Sequence, residues 1–456
     1  MGLGSILDIS LSGLFAASTQ MQTASNNIAN ANVPGYSRQR VVTAVRPGLR
    51  TPYGLLGTGT AVTDVRRMTD QFLGGRLRAQ TAAAATADAV DSALQEIETI
   101  LGSVDNDHLG TAMTDFFNAW SDLATPPING TLRQSVLNAA QRLVDDFHAM
   151  DDGLGRLAAD LDTQLADSVS VLNGLLRNVA DLNRQVLLGE AGGGEAGALR
   201  DSRDELLRQV AQLVRADVVE RDDGTVDVIV GGRTLVSRDH AETVSVVREP
   251  GADGEPGLPH LAVHDGRDPL TAPAGKLAGL LAARREQVPA ARQRLDAVAA
   301  ALIERVNALH VEGMSGNRHG VPFFTGDDAH SIAVEERIVE DPDLIAVSRS
   351  GAAGDNDIAL AIAGLGQATG RDGETSLKEM FTGVVMEFAS RSAASRQQVE
   401  SQRQLVEAVQ NRLDSIRGVN LDEEAANLAL YQNSFQAAAK VITTVQKLYD
   451  TVLTMV

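Results

Sequence analysis

The chain has 456 residues, of which 43% are hydrophobic, and a net charge of −20 from 40 basic and 60 acidic side chains. This length and composition are typical of a globular protein with several domains. An acidic surface repels phosphate backbones, so we expect no nucleic-acid partner. The chain contains no cysteine, which excludes disulfides, thiolate metal ligands and a cysteine nucleophile.

No stretch approaches the roughly 18 consecutive apolar residues of a membrane span, so we expect no membrane insertion. The N-terminus has neither the basic region nor the continuous apolar core of a secretory signal peptide. Export of this protein would therefore use a route other than signal-peptide cleavage.

Residues 5–40 predict a helix with one apolar side. Large apolar residues recur there every seven positions, at Leu7, Leu14, Met21 and Ile28, with Leu11, Ala17 and Ala24 between them. Asp8 is the only charged side chain before Arg38. A solvated helix face usually carries charges, so we expect this helix to be covered by other copies or other chains. It should end near Asn32, because Pro34 disfavours helical geometry at the residue before it.

The middle of the chain predicts long helices interrupted by a small β segment. Apolar residues with a period near 3.6 predict helices over residues 69–101, 131–188, 199–214, 276–309 and 377–416. Read as a single helix, residues 131–188 would span roughly 85 Å, which indicates an elongated, coiled-coil-like bundle. Over residues 216–275 the period changes to two, as in the alternating Val226, Val228 and Val230, and predicts strands.

The C-terminal segment predicts a second heptad helix. Asn420 followed by Glu423 is a capping-box pattern that marks its start. Apolar residues then recur every seven positions at Leu421, Leu428, Phe435, Ile442, Tyr449 and Val456, with Tyr431, Ala438, Val445 and Val452 between them. The chain thus begins and ends with a heptad helix.

These patterns predict a mainly α protein with a small β insertion. We expect an elongated, multi-domain molecule in which the N- and C-terminal heptad helices pair, beside a long-helix bundle and a small antiparallel β domain. The expected boundaries give a terminal helical assembly domain (residues 1–62 and 418–456), a long-helix bundle domain (63–215 and 276–417) and a β domain (216–275).

The sequence shows no constellation of catalytic or metal-binding residues. The eight histidines are scattered, and the GxSxG and HExxH motifs are absent. His260 and His264 are four residues apart, but in a strand-like segment where that spacing does not converge on a metal ion. We therefore expect no catalytic, cofactor-binding or metal site, and no enzyme activity.

Three groups of residues resemble one known family. Residues 25–39, SNNIANANVPGYSRQ, resemble the N-terminal signature shared by bacterial flagellar rod, hook and hook-associated proteins. Residues 418–440, GVNLDEEAANLALYQNSFQAAAK, are similar to the terminal helix of the hook-associated members. Central segments such as VNALHVEGMSGNRHGVPFF also resemble those members, and the resemblance covers both ends and much of the middle.

The resemblance implies a structural role in the flagellum. It implies an adaptor at the hook–filament junction that self-assembles through its terminal helices into a ring or helical array. Its partners would be copies of itself, the flagellar hook protein, a second junction protein (hook-associated protein 3) and a cytoplasmic export chaperone. The protein would be extracellular, exported by the flagellar type III apparatus without a cleaved signal peptide. Its termini would be disordered in the monomer and fold on assembly.

The expected subunit-interface residues lie on the two terminal helices and in the loop that follows the first. They are Leu7, Leu14, Met21, Asn26, Asn27, Ile28, Asn30, Pro34, Gly35, Tyr36, Leu428, Phe435, Ile442, Val445, Tyr449 and Val452.

Other interpretations stay open at this point. The chain could be a rod or hook protein of the same family, although those proteins lack the long helical middle. It could also carry a cell-wall hydrolase activity, for which residues 319–357 are the one unassigned stretch with enough acids. A membrane-surface helix would need basic residues on its polar face, and none precedes Arg38. The two terminal helices could simply pair within one chain, but that would leave the uncharged N-terminal face uncovered.

Overall fold

The computed structural model describes residues 3–51, 54–102, 108–125, 127, 129–250, 256–264, 266–352, 354–366 and 375–454. Val456, the last predicted heptad position, lies outside this set. Among the described residues, no helix is both long enough and apolar enough to cross a lipid bilayer.

Helices dominate the structure. In chain order they are α1 (Leu3–Asn30), α2 (Gln71–Leu101), α3 (His108–Ala124), α4 (Gly130–Glu190), α5 (Gly197–Leu213), α6 (Lys276–Ala282), α7 (Val288–Glu312), α8 (Glu336–Glu340), α9 (Asp357–Leu365), α10 (Leu377–Arg417) and α11 (Leu421–Thr454). A π-helical turn (Ala283–Gln287) joins α6 to α7 just before Pro289. The missing N–H of this proline disfavours a regular bond to the preceding turn.

The strands are short and antiparallel. They are β1 (Gln39–Val45), β2 (Leu49–Thr51), β3 (Gly54–Leu56), β4 (Thr60–Arg67), β5 (Asp217–Glu220), β6 (Val226–Val230), β7 (Arg233–Ser237), β8 (His240–Ala241), β9 (Ser245–Pro250), β10 (Pro256–Val263), β11 (Asp268–Leu270), β12 (Met314–Ser315), β13 (Arg318–His319), β14 (Phe324–Thr325) and β15 (Ala333–Val334).

The two terminal helices pack against each other in antiparallel orientation. At one end, the Asn27 amide near the end of α1 lies 3.2 Å from the Glu424 carboxylate at the start of α11. At the other end, a Cβ placed on Gly4 would lie 3.6 Å from the Tyr449 hydroxyl. The predicted pairing of the N- and C-terminal heptad helices is confirmed.

The long-helix bundle is built around α4, a single helix of 61 residues. Its apolar side is continuous with one hydrophobic core that also includes α3, α7 and the first half of α10. Ion pairs of Arg396 with Glu98 (2.9 Å) and Arg403 with Asp88 (3.0 Å) join α10 to α2. One end of the core is aromatic, with the Phe116 and Trp120 rings against Phe323.

The β segment lies against the side of α4. Strands β5 to β8 form a four-stranded sheet and β9 to β11 a three-stranded sheet. The alternating Val226, Val228 and Val230 point into the same core as the helices and are at most 3% exposed. The predicted mainly α fold with a small antiparallel β insertion is therefore confirmed.

A β-hairpin connects α1 to α2. Its base is the antiparallel pair β1–β4, and β2–β3 continue it outward. The hairpin packs on α1, where the Thr60 amide donates to the Ser12 hydroxyl at 3.2 Å. Gly59 makes this close approach possible, because a Cβ there would lie 2.1 Å from the Ser12 oxygen.

Candidate functional site

The buried side of α1 consists of small side chains. Its buried residues are Ser10, Ser12, Ala16, Ala17, Ala24 and Asn27. The large heptad residues that the sequence singled out, Leu7, Leu14, Met21 and Ile28, are only partly buried. Small residues allow α11 and the hairpin to approach the α1 backbone closely. The larger side chains flank that contact.

On α11, the heptad residues form the partly buried side of the helix. Leu428, Phe435 and Ile442 are half-buried, and Val445 is 3% exposed. Tyr449 and Val452 are more open, at 40% and 51% exposed, because α1 begins near this end of the pair. The structure thus brings the predicted residues of both helices together, but a single copy buries few of them completely.

Asn26, Asn27 and Asn30 form an asparagine cluster in the last turns of α1. Asn27 is the buried polar centre of this cluster. Its side chain is 1% exposed and makes four hydrogen bonds. The amide donates to the Gln39 carbonyl (2.9 Å) and to Glu424 (3.2 Å). Its carbonyl oxygen accepts from the Gln39 N–H (2.9 Å) and the Tyr36 hydroxyl (2.8 Å). Asn27 therefore joins α1, the start of the hairpin and α11.

The other residues of the cluster support this centre. The Asn26 amide donates to the Tyr36 hydroxyl at 3.3 Å, and Asn30 donates to the Asn26 side chain at 2.8 Å. Burial raises the pKa of Tyr36 to about 12, and the nearby carboxylates of Asp201 and Glu424 add to the shift. Tyr36 consequently stays protonated and donates to Asn27. Gly35 takes a positive φ of 82° that a side chain would strain.

Arg38 fastens the start of the hairpin to the start of α11. Its Nε lies 2.7 Å from Glu424, whose side chain is 3% exposed, and its Nη2 lies 2.8 Å from Glu423. The hydrogen bond from Arg38 holds the pKa of the Glu423 carboxyl below its ordinary value. The Asn420 side chain accepts from the Glu423 N–H at 3.3 Å, as the predicted N-cap should.

A second set of ion pairs connects the hairpin to the helical bundle. Arg67 lies 2.7 Å from Glu195 and 2.8 Å from both Asp201 and Asp204. Asp201 also accepts from the Ser37 N–H at 3.0 Å. Burial raises the pKa of Asp201, and the Arg67 guanidinium partly offsets this effect. The hairpin, which packs on α1, is thus fixed to the bundle by largely buried charges.

Sequence reasoning missed the ion pair between Arg38 and Glu424. Arg38 and Glu424 are 386 positions apart, so no local periodicity relates them. One signal was present: Glu424 lies seven residues before Tyr431, in a register otherwise filled by apolar side chains. A carboxylate at such a position needs a buried partner. Pro34 of the predicted set stays exposed on the loop surface.

The helix pair exposes further apolar side chains on its outer side. On α11, Leu430, Val441 and Leu448 are 59%, 42% and 47% exposed, and they lie along one side of the helix. On α1, Phe15 is 66% exposed. We call Leu430, Val441 and Leu448 the outer stripe. Within the described residues, no group of three or more His, Asp or Glu side chains is arranged to hold a metal ion.

Different family models match the middle of the chain and its two ends. The family model described as the flagellar hook-associated protein FlgK helical domain matches residues 94–324, just over half of the chain. The flagella basal body rod protein model matches residues 7–36, and the flagellar basal body rod FlgEFG protein C-terminal model matches residues 409–455. The rod models thus match only the ends, which does not favour a rod or hook protein.

Individual relatives agree over nearly the whole chain. Flagellar hook-associated protein 1 of Escherichia coli (strain K12) is 25% identical over 99% of this chain and 100% of that protein. The protein of the same name from Bacillus subtilis (strain 168) is 27% identical over 98% of this chain and 97% of its own length. The alignment with the E. coli protein runs over 548 positions, so at least 92 of them have no counterpart in these 456 residues.

A solved structure has the same fold. The flagellar hook junction protein FlgK from Burkholderia pseudomallei aligns with a TM-score of 0.63 and 15% identity, over 75% of this chain and 100% of that one. Because the helical-domain model spans just over half of the sequence, the chain belongs to the FlgK family of flagellar hook-associated proteins, structural components of the bacterial flagellum.

Proposed function

We propose that this protein forms the adaptor layer at the hook–filament junction and assembles through α1 and α11. The observation that carries the proposal is the apolar outer side of the terminal helix pair. Burying the outer stripe would contribute roughly 1–2 kcal/mol per side chain. Apolar surface repeated along a paired helix is typical of a protein–protein contact.

The proposed partners are other copies of the chain, the hook protein, hook-associated protein 3 and a cytoplasmic export chaperone. The protein would act outside the cell after type III export without a cleaved signal peptide. We assign it a structural role and no catalytic one. This interpretation rests on the family and on the terminal helices.

Within this proposal, each of the three predicted domains has a role. Residues 1–62 and 418–456 would form the assembly domain, 63–215 and 276–417 the bundle, and 216–275 the β domain. The sixteen predicted interface residues would act in two ways. The half-buried heptad residues would hold the pair together, whereas exposed residues such as Tyr449 and Val452 would contact neighbours.

The outer stripe provides the test. We expect the triple variant Leu430→Asn/Val441→Asn/Leu448→Asn to fold as the wild type does, because all three side chains are exposed in the monomer. In cells whose own copy is replaced, it should be missing from isolated hooks, and the cells should lack filaments. Circular dichroism of the purified variant checks the fold, and immunoblots of isolated hooks measure incorporation.

A matched control changes the polar side of the same helix. Gln432→Asn/Gln436→Asn/Thr443→Asn introduces the same residue type at three exposed positions of α11. This control should be incorporated at the wild-type level. Normal incorporation and motility of the outer-stripe variant would refute assembly through this surface.

A further inference from the structure

The hairpin of residues 39–67 differs in charge from the rest of the molecule. It holds five of the 40 basic residues and one of the 60 acidic ones, which gives it a charge of +4 and leaves −24 on the remainder. Arg67 is used in the buried ion pairs with the bundle. Arg40, Arg46 and Arg50 are exposed and form no ion pair with a carboxylate of the described residues.

The solvent face of the hairpin brings like charges together. In the β1–β4 register, Arg40 stands directly opposite Arg66, and both are exposed. Like charges at opposed positions of an antiparallel pair destabilise it. Asp64 compensates the charge of one of the two arginines, because its carboxylate lies 2.7 Å from the Arg66 Nε. A strand pair that places two arginines face to face is better suited to binding an anionic surface than to stabilising its own fold.

Apolar side chains accompany these arginines. Val45, Leu49 and Leu55 are 83%, 60% and 73% exposed, toward the outer half of the hairpin. Val42 and Val62 are also exposed, at 37% and 36%. Apolar residues interleaved with arginines are typical of the central part of a protein interface, where arginine is enriched.

We propose that the exposed part of this hairpin docks on the acidic surface of a second copy of the chain. A chain with +4 in one hairpin and −24 elsewhere is electrostatically complementary to itself. The contact would be heterologous, with different surfaces of the two copies meeting, as closed rings and helical arrays require. This inference rests on the proposed function, and it adds a second contact besides that of the terminal helices.

Site-specific crosslinking in the full-length protein tests the identity of the partner. A photoreactive phenylalanine derivative replaces Val45, and irradiation of isolated flagella should give a covalent dimer of this chain. Mass spectrometry should locate the crosslink on an acidic segment of the second copy. The same probe at Val171, which is 56% exposed on α4, reports the background. Crosslinks solely to other proteins, to lipid or to nothing would overturn the proposal.

Charge reversal tests the contribution of the arginines. Arg40→Glu/Arg46→Glu/Arg50→Glu should lower the yield of crosslinked dimer about tenfold or more, and moderate salt should lower the wild-type yield in the same direction. Arg76→Glu/Arg142→Glu/Arg412→Glu changes the net charge equally at exposed positions outside the hairpin, and should leave the yield unchanged. An equal loss in both variants would show a general charge effect and refute the specific contact.

The two proposals fail in different ways. If the hairpin variant is incorporated normally and its crosslinks persist, the hairpin contact is wrong, although the junction role stands. If the wild-type protein itself is missing from isolated hooks, the proposed function is wrong.

Discussion

At the scale of single residues, the site depends on buried polar groups with complete sets of partners. Asn27 uses both of its amide hydrogens and accepts two hydrogen bonds at its oxygen. Such a centre specifies one arrangement of the chain, because any shift leaves a buried donor or acceptor without a partner. The Arg38–Glu424 pair acts in the same way at the start of α11.

Replacing Asn27 by alanine should loosen the whole junction between α1, the hairpin and α11. The change leaves the Gln39 backbone groups, the Tyr36 hydroxyl and part of the Glu424 carboxylate without their partner. We expect a local loss of about 2 kcal/mol, measured as faster hydrogen exchange in residues 24–45.

The matched control for this change is Asn30→Ala. Among the described residues, the Asn30 side chain bonds to Asn26 alone, and it lies nearer the surface. Its replacement should change local exchange by less than about 0.5 kcal/mol. Equal effects of the two variants would contradict the role given to Asn27.

At the scale of elements, the heptad patterns correctly predicted helices at both ends and their pairing. The N-terminal pattern placed Ala17 and Ala24 on the same apolar side as Leu14 and Met21. The structure buries the two alanines and leaves the two larger residues only partly buried. The reason is distance: a helix that contacts both another helix and a hairpin approaches most closely where its side chains are smallest. The strands of the β segment were also predicted correctly, since period-two alternation is a local signal.

Enlarging a buried alanine of α1 tests this packing. Ala24 is 2% exposed, and Ala24→Leu should force its neighbours apart, at a cost of about 1–3 kcal/mol. Ala29→Leu, at an exposed position of the same helix, should have almost no effect. Limited proteolysis of the purified proteins measures the release of the terminal helices, and equal cleavage rates would contradict the packing described for α1.

At the scale of the whole molecule, the helical bundle and the terminal helix pair differ in how much apolar core each of them buries. The bundle has a continuous core around α4. The terminal helix pair has little buried core of its own, since Glu424 and Val445 are the only buried residues of α11. The sequence predicted this arrangement through the nearly uncharged surface of its N-terminal helix. It could not predict the ion pairs among Arg38, Arg67 and their carboxylates, because those contacts join residues far apart in the chain.

The central claim is that neighbouring subunits complete the terminal helix pair, and hydrogen exchange tests it most directly. In the purified monomer, amides of residues 421–454 should exchange about 100-fold or more faster than those in the buried half of α4. In isolated flagella, the same amides should become protected. Terminal helices that are as well protected in the monomer as α4 would contradict the account.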